Sequence, residues 1–160
     1  MTYPKALYGG STGEVSARLR PGTSEPDLVR TSGTEVHYLT TGASTRGLFG
    51  LYKWAMGSGQ GGAEPHFHRT ISESFYILSG SVRVYDGKEW LTAEVGDFIH
   101  VPPGGIHAFS NESGADASML IHFAPGAPRE SYFENLNRLG EMSEFEREAF
   151  FVAHDNHYLK

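Results

Sequence analysis

Between Glu35 and Phe123 the chain falls into short runs rich in β-branched and aromatic residues, each closed by turn-forming residues. The runs are Glu35–Thr41, Leu48–Met56, Glu73–Leu78, Ser81–Tyr85, Glu89–Ala93, Phe98–Val101, His107–Asn111 and Ser118–Phe123. Ser79-Gly80, Asp86-Gly87, Gly96-Asp97, Pro103-Gly104-Gly105 and Glu112–Gly114 separate the later ones. Short strands at this spacing predict a sandwich or barrel, so the fold class is all-β. The 20 Gly exceed the share of roughly 7% found in average proteins, which fits a chain of many turns. Asp86-Gly87 predicts a two-residue hairpin of type I′, which needs positive φ at both central residues.

The flanks differ in character. Residues 1–34 are Gly, Ser, Thr, Pro and charge, and read as an extended arm. The alternative is an arm that covers the barrel mouth or swaps onto a second subunit. Residues 35–127 form the barrel, and 128–160 a helical segment. Tyr132–Leu139 and Glu144–Ala153 are its predicted helices. Ser143 and Glu146 fit a capping box, and Phe145, Ala149, Phe150 and Val152 give the second helix a partial apolar stripe.

Charge and composition exclude several partners. The 13 Lys+Arg against 19 Asp+Glu leave a net charge of -6, with no basic stripe to neutralise phosphates. Nucleic acid and anionic membranes are therefore not expected. The chain has no Cys, so any metal must be held by His and carboxylates. The first 30 residues hold no apolar signal-like core, and a cytoplasmic protein is the expectation.

Two clusters carry chemistry. In His66-Phe67-His68 the histidines are two apart, so in a strand they share a face at roughly 6.6 Å along the chain. Both imidazoles can then point at one ion. Arg69–Ser72 lets the chain turn and return Glu73 to the same side. The second cluster runs from Gly96 through Pro102-Pro103-Gly104-Gly105 to His107, with Asn111 beyond. Its Pro and Gly enforce a tight loop that delivers His107 onto the next strand.

These segments resemble the two motifs of the cupin family. The first motif is Gly, five residues, His-x-His, three or four residues, Glu, six residues, Gly. His66, His68, Glu73 and Gly80 match it, while Gln60 stands at the opening position between Gly59 and Gly61. The second motif, Gly, five residues, Pro-x-Gly, two residues, His, three residues, Asn, is matched by Gly96, Pro102, Gly104, His107 and Asn111. The resemblance spans roughly residues 35–125. It implies a jelly-roll barrel with a short C-terminal helical tail and one divalent transition metal on His66, His68, Glu73 and His107. Imidazole and carboxylate suit Fe, Ni, Mn, Co, Cu or Zn, and four protein ligands on a metal preferring about six leave about two positions open. Glu73 is the candidate catalytic residue, as ligand, base or both.

Three functions are compatible with such a site. The chain looks like single-domain quercetinase-type dioxygenases, which implies a small aromatic or enol substrate, flavonol-like, bound to the metal, with dioxygen as co-substrate. The alternative is non-oxidative chemistry, as in a polyketide-type cyclase, isomerase or lyase. The third reading is a small-molecule-binding module without turnover; a fused helix-turn-helix domain would be its usual sign, and the chain leaves no room for one. The resemblance also implies a homodimer. His100, His122, Phe75 and Phe109 are candidate pocket residues. A sugar isomerase needs inward Arg, Lys, Asn or Gln, and the predicted strands offer only Lys53, Arg83 and Asn111, so an apolar pocket is expected. His154, Asp155 and His157 read as a solvated tail, with docking over the barrel mouth as the alternative.

Overall fold

A computed structural model describes residues 2–159. Its strands are β1 (Leu28–Val29), β2 (Glu35–Thr40), β3 (Gly50–Met56), β4 (His66–Phe67), β5 (Ser72–Ser79), β6 (Ser81–Tyr85), β7 (Trp90–Glu94), β8 (Phe98–Val101), β9 (Ala108–Ser110), β10 (Ala117–Ala124) and β11 (His157–Tyr158). Helices α1 (Arg129–Asn135) and α2 (Glu144–Ala153) flank a 3-10 segment, Leu136–Glu141. The all-β reading with a short helical tail holds. β1-β2-β3-β10-β5-β8 form one sheet, β7-β6-β9 a second, and β11-β4 a two-stranded pair.

The core lies where the two larger sheets meet. β3 alternates strictly, with Tyr52, Trp54 and Met56 buried and Leu51, Lys53 and Ala55 less so, as a strand covered on one face requires. β10 sends Met119, Ile121 and Phe123 inward by the same rule. Across the gap Phe109 of β9 sits edge-on to Phe75 at 5.6 Å and to Trp54 at 5.8 Å. Burying each such side chain is worth about 1.5–3 kcal/mol. Gly62 is required by this packing, because a Cβ there would lie 2.2 Å from the Phe109 ring.

Several local readings need correction. The turn between β6 and β7 is the longer Asp86–Glu89 loop, since Tyr85 pairs with Trp90. The Asp86 carboxylate accepts the Lys88 and Glu89 amides, both at 2.8 Å, so only Gly87 needs a positive φ. The first helix begins earlier than predicted, at Arg129, directly after Pro128. Its predicted end is a 3-10 segment. α2 and its capping box are as expected. Its apolar stripe is not, for Phe145, Ala149 and Val152 are exposed and only Phe150 and Phe151 reach the core. Near the end of α2 Phe150 stacks on Tyr132 at 5.5 Å.

Residues 2–27 contain no strand or helix. β1 then pairs with β2, and the turn between them places Arg30 against the Trp54 ring at 5.6 Å. Gln60, the departure from the motif glycine, has a visible task. Its side chain accepts from Thr34 Oγ1 at 2.7 Å and Gly57 N at 2.9 Å and donates to Ser32 O at 2.6 Å, tying the loop before His66 to this turn.

Asn111 is fully buried and structural. Its amide donates to Met56 O, Gly57 O and Ala115 O, while its oxygen accepts Ser113 N and Oγ. Asn111→Ala strands these groups at about 1–3 kcal/mol. At about 2–4 °C per kcal/mol for a chain of this size, thermal unfolding should come roughly 5 °C earlier. An unchanged melting temperature would show that the loops do not depend on it.

Candidate metal centre

β4 and β5 bring the first three ligand candidates together. His66 and His68 face inward on either side of Phe67, and both are 2% exposed. Arg69 and Thr70 turn the chain, and β5 returns Glu73 in register with Val101 of β8 and Phe123 of β10. The Pro102–Gly105 loop then delivers His107 opposite His66. Two backbone rungs lock that pair, His66 N to His107 O at 3.0 Å and His107 N to His66 O at 2.9 Å.

All four side chains are buried, and their ligand atoms lie within 4.8 Å of one another. Among the described residues this is the one such group. Each imidazole has its Nδ1 against a backbone carbonyl: His66 on Glu64 O at 2.8 Å, His68 on Asp155 O at 2.6 Å, and His107 on Gly105 O at 3.0 Å. An Nδ1–H that donates there leaves Nε2 as a lone pair. The Nε2 atoms of His68 and His107 lie 3.0 and 2.9 Å from Glu73 Oε2. With neutral imidazoles acceptor thus faces acceptor in a buried site, and a positive charge between them relieves it. A divalent metal meets that demand, so the donor set fits the ion that the sequence motifs imply.

The electrostatics of His66 and Glu73 suit a metal ligand, and that of His107 favours a cation beside Glu73. Burial, reinforced by His107, pushes the His66 imidazole down to about 3, so it stays neutral, the form that binds metal. Burial alone would raise the Glu73 carboxyl, but His107 and His68 outweigh it and hold it well below the usual carboxylate range. Burial pulls His107 down, yet the adjacent Glu73 carboxylate outweighs it and raises the imidazole.

A cavity of about 450 Å³ opens on His66 and Glu73, within the range of small-molecule sites. Trp54, Phe109, Phe123, Tyr132 and Phe133 form much of its wall. Its polar members are Arg30, Glu64, Arg129 and Asn156, together with the hydroxyls of Tyr132 and Tyr158, which lie 3.1 Å apart.

Of the four candidate pocket residues, Phe109 lines this cavity and three do not. Phe75 is fully buried in the core, its ring 6.0 Å from that of His107. His122 alternates with the inward Ile121 and Phe123, so it faces outward against Phe49. His100 likewise alternates with the buried Val101 and bonds Ser74 on the outer face. Strand parity, once the inner face is known, accounts for both. Lys53, Arg83 and Asn111, the polar side chains foreseen on the strands, are also absent from the wall.

The polar wall comes instead from outside the barrel. Arg30 enters from the β1–β2 turn, and Arg129 from the start of α1. One available signal was Arg129 followed by Tyr132 and Phe133, three and four residues on, which share its helix face. The tail is docked rather than solvated. β11 pairs with β4, setting His157 opposite Phe67 and Tyr158 opposite His66. The Asp155 carboxylate accepts Arg69 N, Thr70 N and Thr70 Oγ1 and meets His157 Nε2 at 3.2 Å. Asn156 is 1% exposed and accepts from Arg129.

Comparison with known proteins bears on this site. The family model described as the cupin domain matches residues 52–123, a stretch that contains all four ligand candidates. A predicted oxalate decarboxylase from Thermotoga maritima has a similar structure, with TM-score 0.61 and 17% identity over 68% of this chain and 99% of that one. A cupin described as RmlC-like from Shewanella frigidimarina gives 0.58 and 22% over 73% and 96%. The polyketide cyclase RemF from Streptomyces resistomycificus gives 0.52 and 24% over 65% and 71%. No curated protein matches the chain. At these identities the structures establish the fold, a cupin jelly roll. Among the described residues no helix is long and apolar enough to cross a membrane.

Proposed function

Starting from a barrel whose fold and family match support the cupin superfamily, we propose that this chain is a metal-dependent dioxygenase of a small aromatic or enol substrate, flavonol-like in shape. The observation that carries the reading is the aromatic cavity that opens directly on a buried three-His, one-Glu cluster. His66, His68, Glu73 and His107 would hold the metal, which supplies a Lewis acid that acidifies a coordinated enol or phenol and, when redox-active, a path for electrons to dioxygen.

The chain's own residues do the rest. Glu73 is the carboxylate that faces both the ligand cluster and the cavity, and it takes the proton that the substrate hydroxyl gives up. Trp54, Phe109 and Phe133 offer flat faces that orient a planar ring. β11 and the Tyr132–Tyr158 pair cover one side and limit water. The proposal includes a homodimer as the working assembly.

Non-oxidative chemistry is the second reading, and Arg30, Arg129 and Asn156 on the wall favour it, because they supply polar contacts that a purely apolar pocket lacks. The discriminating experiment is elemental analysis of protein purified without chelator or added metal, then oxygen uptake with a flavonol. A redox-active metal and substrate-dependent uptake are expected. Glu73→Gln should lower turnover by about 10²–10⁴-fold if Glu73 is mainly a base, with metal retained. If it is mainly a ligand, metal and turnover fall together. Bound zinc with no uptake would transfer the assignment to the cyclase, isomerase or lyase class.

A further inference from the structure

We propose that the cavity selects a planar ligand bearing a carboxylate, and that Arg129 is the residue that reads it. This deepens the proposed function, on whose substrate pocket it rests.

Arg129 is 4% exposed, yet among the described residues it makes no ion pair, and neither does Arg30. The buried guanidinium is fixed on its surroundings without being neutralised. It donates to His154 O at 2.7 Å and to Asn156 Oδ1 at 2.9 Å, and its Cζ lies over the Tyr132 ring at 4.4 Å and the Phe123 ring at 4.9 Å. Neutral acceptors and ring faces orient a cation, but an uncompensated buried charge remains costly. Glu73 and Asp155 act on it only at a distance, and both carboxylates are already committed, Glu73 to His68 and His107 and Asp155 to the Arg69–Thr70 turn.

A bound divalent metal makes the imbalance worse. With Glu73 it leaves one net positive charge, Arg129 adds a second, and Arg30 adds a third on the same wall. Glu64, the remaining acid of the lining, is exposed. The residues of this wall are short of acceptors as well as of negative charge. The described residues contain four buried side-chain nitrogens without a hydrogen-bond partner, and three of them, Arg30 Nε, Trp54 Nε1 and Arg129 Nε, belong to residues of this wall. All three are donors. An aromatic acid answers each deficit: its ring meets the aromatic faces, and its carboxylate supplies paired acceptors and the missing charge. Arginine is suited to that recognition, since its planar fork matches a carboxylate.

The test uses full-length protein stripped of metal, so that coordination cannot mimic the arginine. Binding of 2-naphthoate and of its neutral isostere 2-naphthamide is monitored by calorimetry and by tryptophan fluorescence, to which Trp54 on the wall contributes. Naphthoate should bind about tenfold or more tightly, by an amount that shrinks with salt. Arg129→Met should erase the preference and Arg129→Lys should keep part of it. Equal binding of acid and amide by the unaltered protein overturns the proposal without any variant, so an unstable Arg129→Met cannot shield it. A preference that survives in folded Arg129→Met overturns the assignment to Arg129. A parallel titration of Co(II)-loaded protein with a flavonol separates the two readings. A shifted Co(II) spectrum with no acid preference removes this inference alone. An acid preference with an unmoved spectrum supports the anion site and removes the flavonol-type substrate.

Discussion

His66→Ala should take the bound metal from about one ion per chain to a small fraction of that, while the far-ultraviolet circular dichroism stays that of the folded barrel. The reason lies in what His66 does and does not hold. Its Nδ1 is tied to Glu64 O, and no hydrogen bond joins its Nε2 to Glu73. Removing the ring takes away a ligand but leaves the Glu73–His68–His107 contacts intact. The backbone rungs to His107 survive too, because they use main-chain atoms. His107→Ala should lose metal as completely but also destabilise the metal-free protein, since Glu73 keeps only His68 as a partner. In the metal-free protein Glu73 favours the protonated form of His107, and breaking such a buried ion pair costs about 3–5 kcal/mol. Metal at a hundred times its dissociation constant stabilises the native protein by about 2.7 kcal/mol. At about 2–4 °C per kcal/mol, adding metal should raise the melting temperature of the parent by roughly 5–11 °C. Neither variant should show that rise. Full occupancy measured by elemental analysis in His66→Ala would remove His66 from the ligand set.

What the sequence made legible divides by how local the governing physics is. The ligand candidates were readable because a period-2 pair, a turn and a Pro/Gly loop fix where His66, His68, Glu73 and His107 go relative to their own strands. The all-β class was readable because Gly and Pro punctuate the apolar runs. The pocket was not, for two reasons. Alternation groups His122 with Leu120, and His100 with Phe98, but cannot say which group faces in; only the packing of β10 and β8 against their neighbours decides that. Arg30, Arg129 and Asn156 reach the cavity through tertiary contacts made from outside the barrel, and no barrel-strand periodicity marks them. The type I′ reading at Asp86-Gly87 failed for a subtler reason. Dipeptide preference assumes that the backbone alone makes the turn, whereas the Asp86 carboxylate takes over two amides and lets the loop lengthen.

The His154–His157 segment makes such a tertiary contact directly beside the metal centre. Asp155→Gly should therefore weaken metal binding by about 10–100-fold, the range found when the groups that orient ligands are lost. Asp155 acts twice. Its carbonyl receives His68 Nδ1 at 2.6 Å, and its carboxylate holds the amides of Arg69 and Thr70, the turn that separates His68 from Glu73. Glycine keeps the positive φ of 56° at this position and loses only the carboxylate. The carbonyl remains on the chain, but nothing then pins it, because the short pairing of β11 with β4 is the main other link between tail and ligand strand. Asp155→Ala adds backbone strain to the same loss and should be less stable than Asp155→Gly by roughly 1 kcal/mol. Competition against a chelator of known affinity reads the metal constant, and thermal unfolding of the metal-free proteins reads stability. If the tail only covers the barrel, both variants will melt earlier and bind metal as tightly as the parent, and the orienting role of Asp155 is then excluded. If it orients His68, the metal constant falls equally in the two variants while their stabilities differ. That pattern separates the lost carboxylate from the strained backbone.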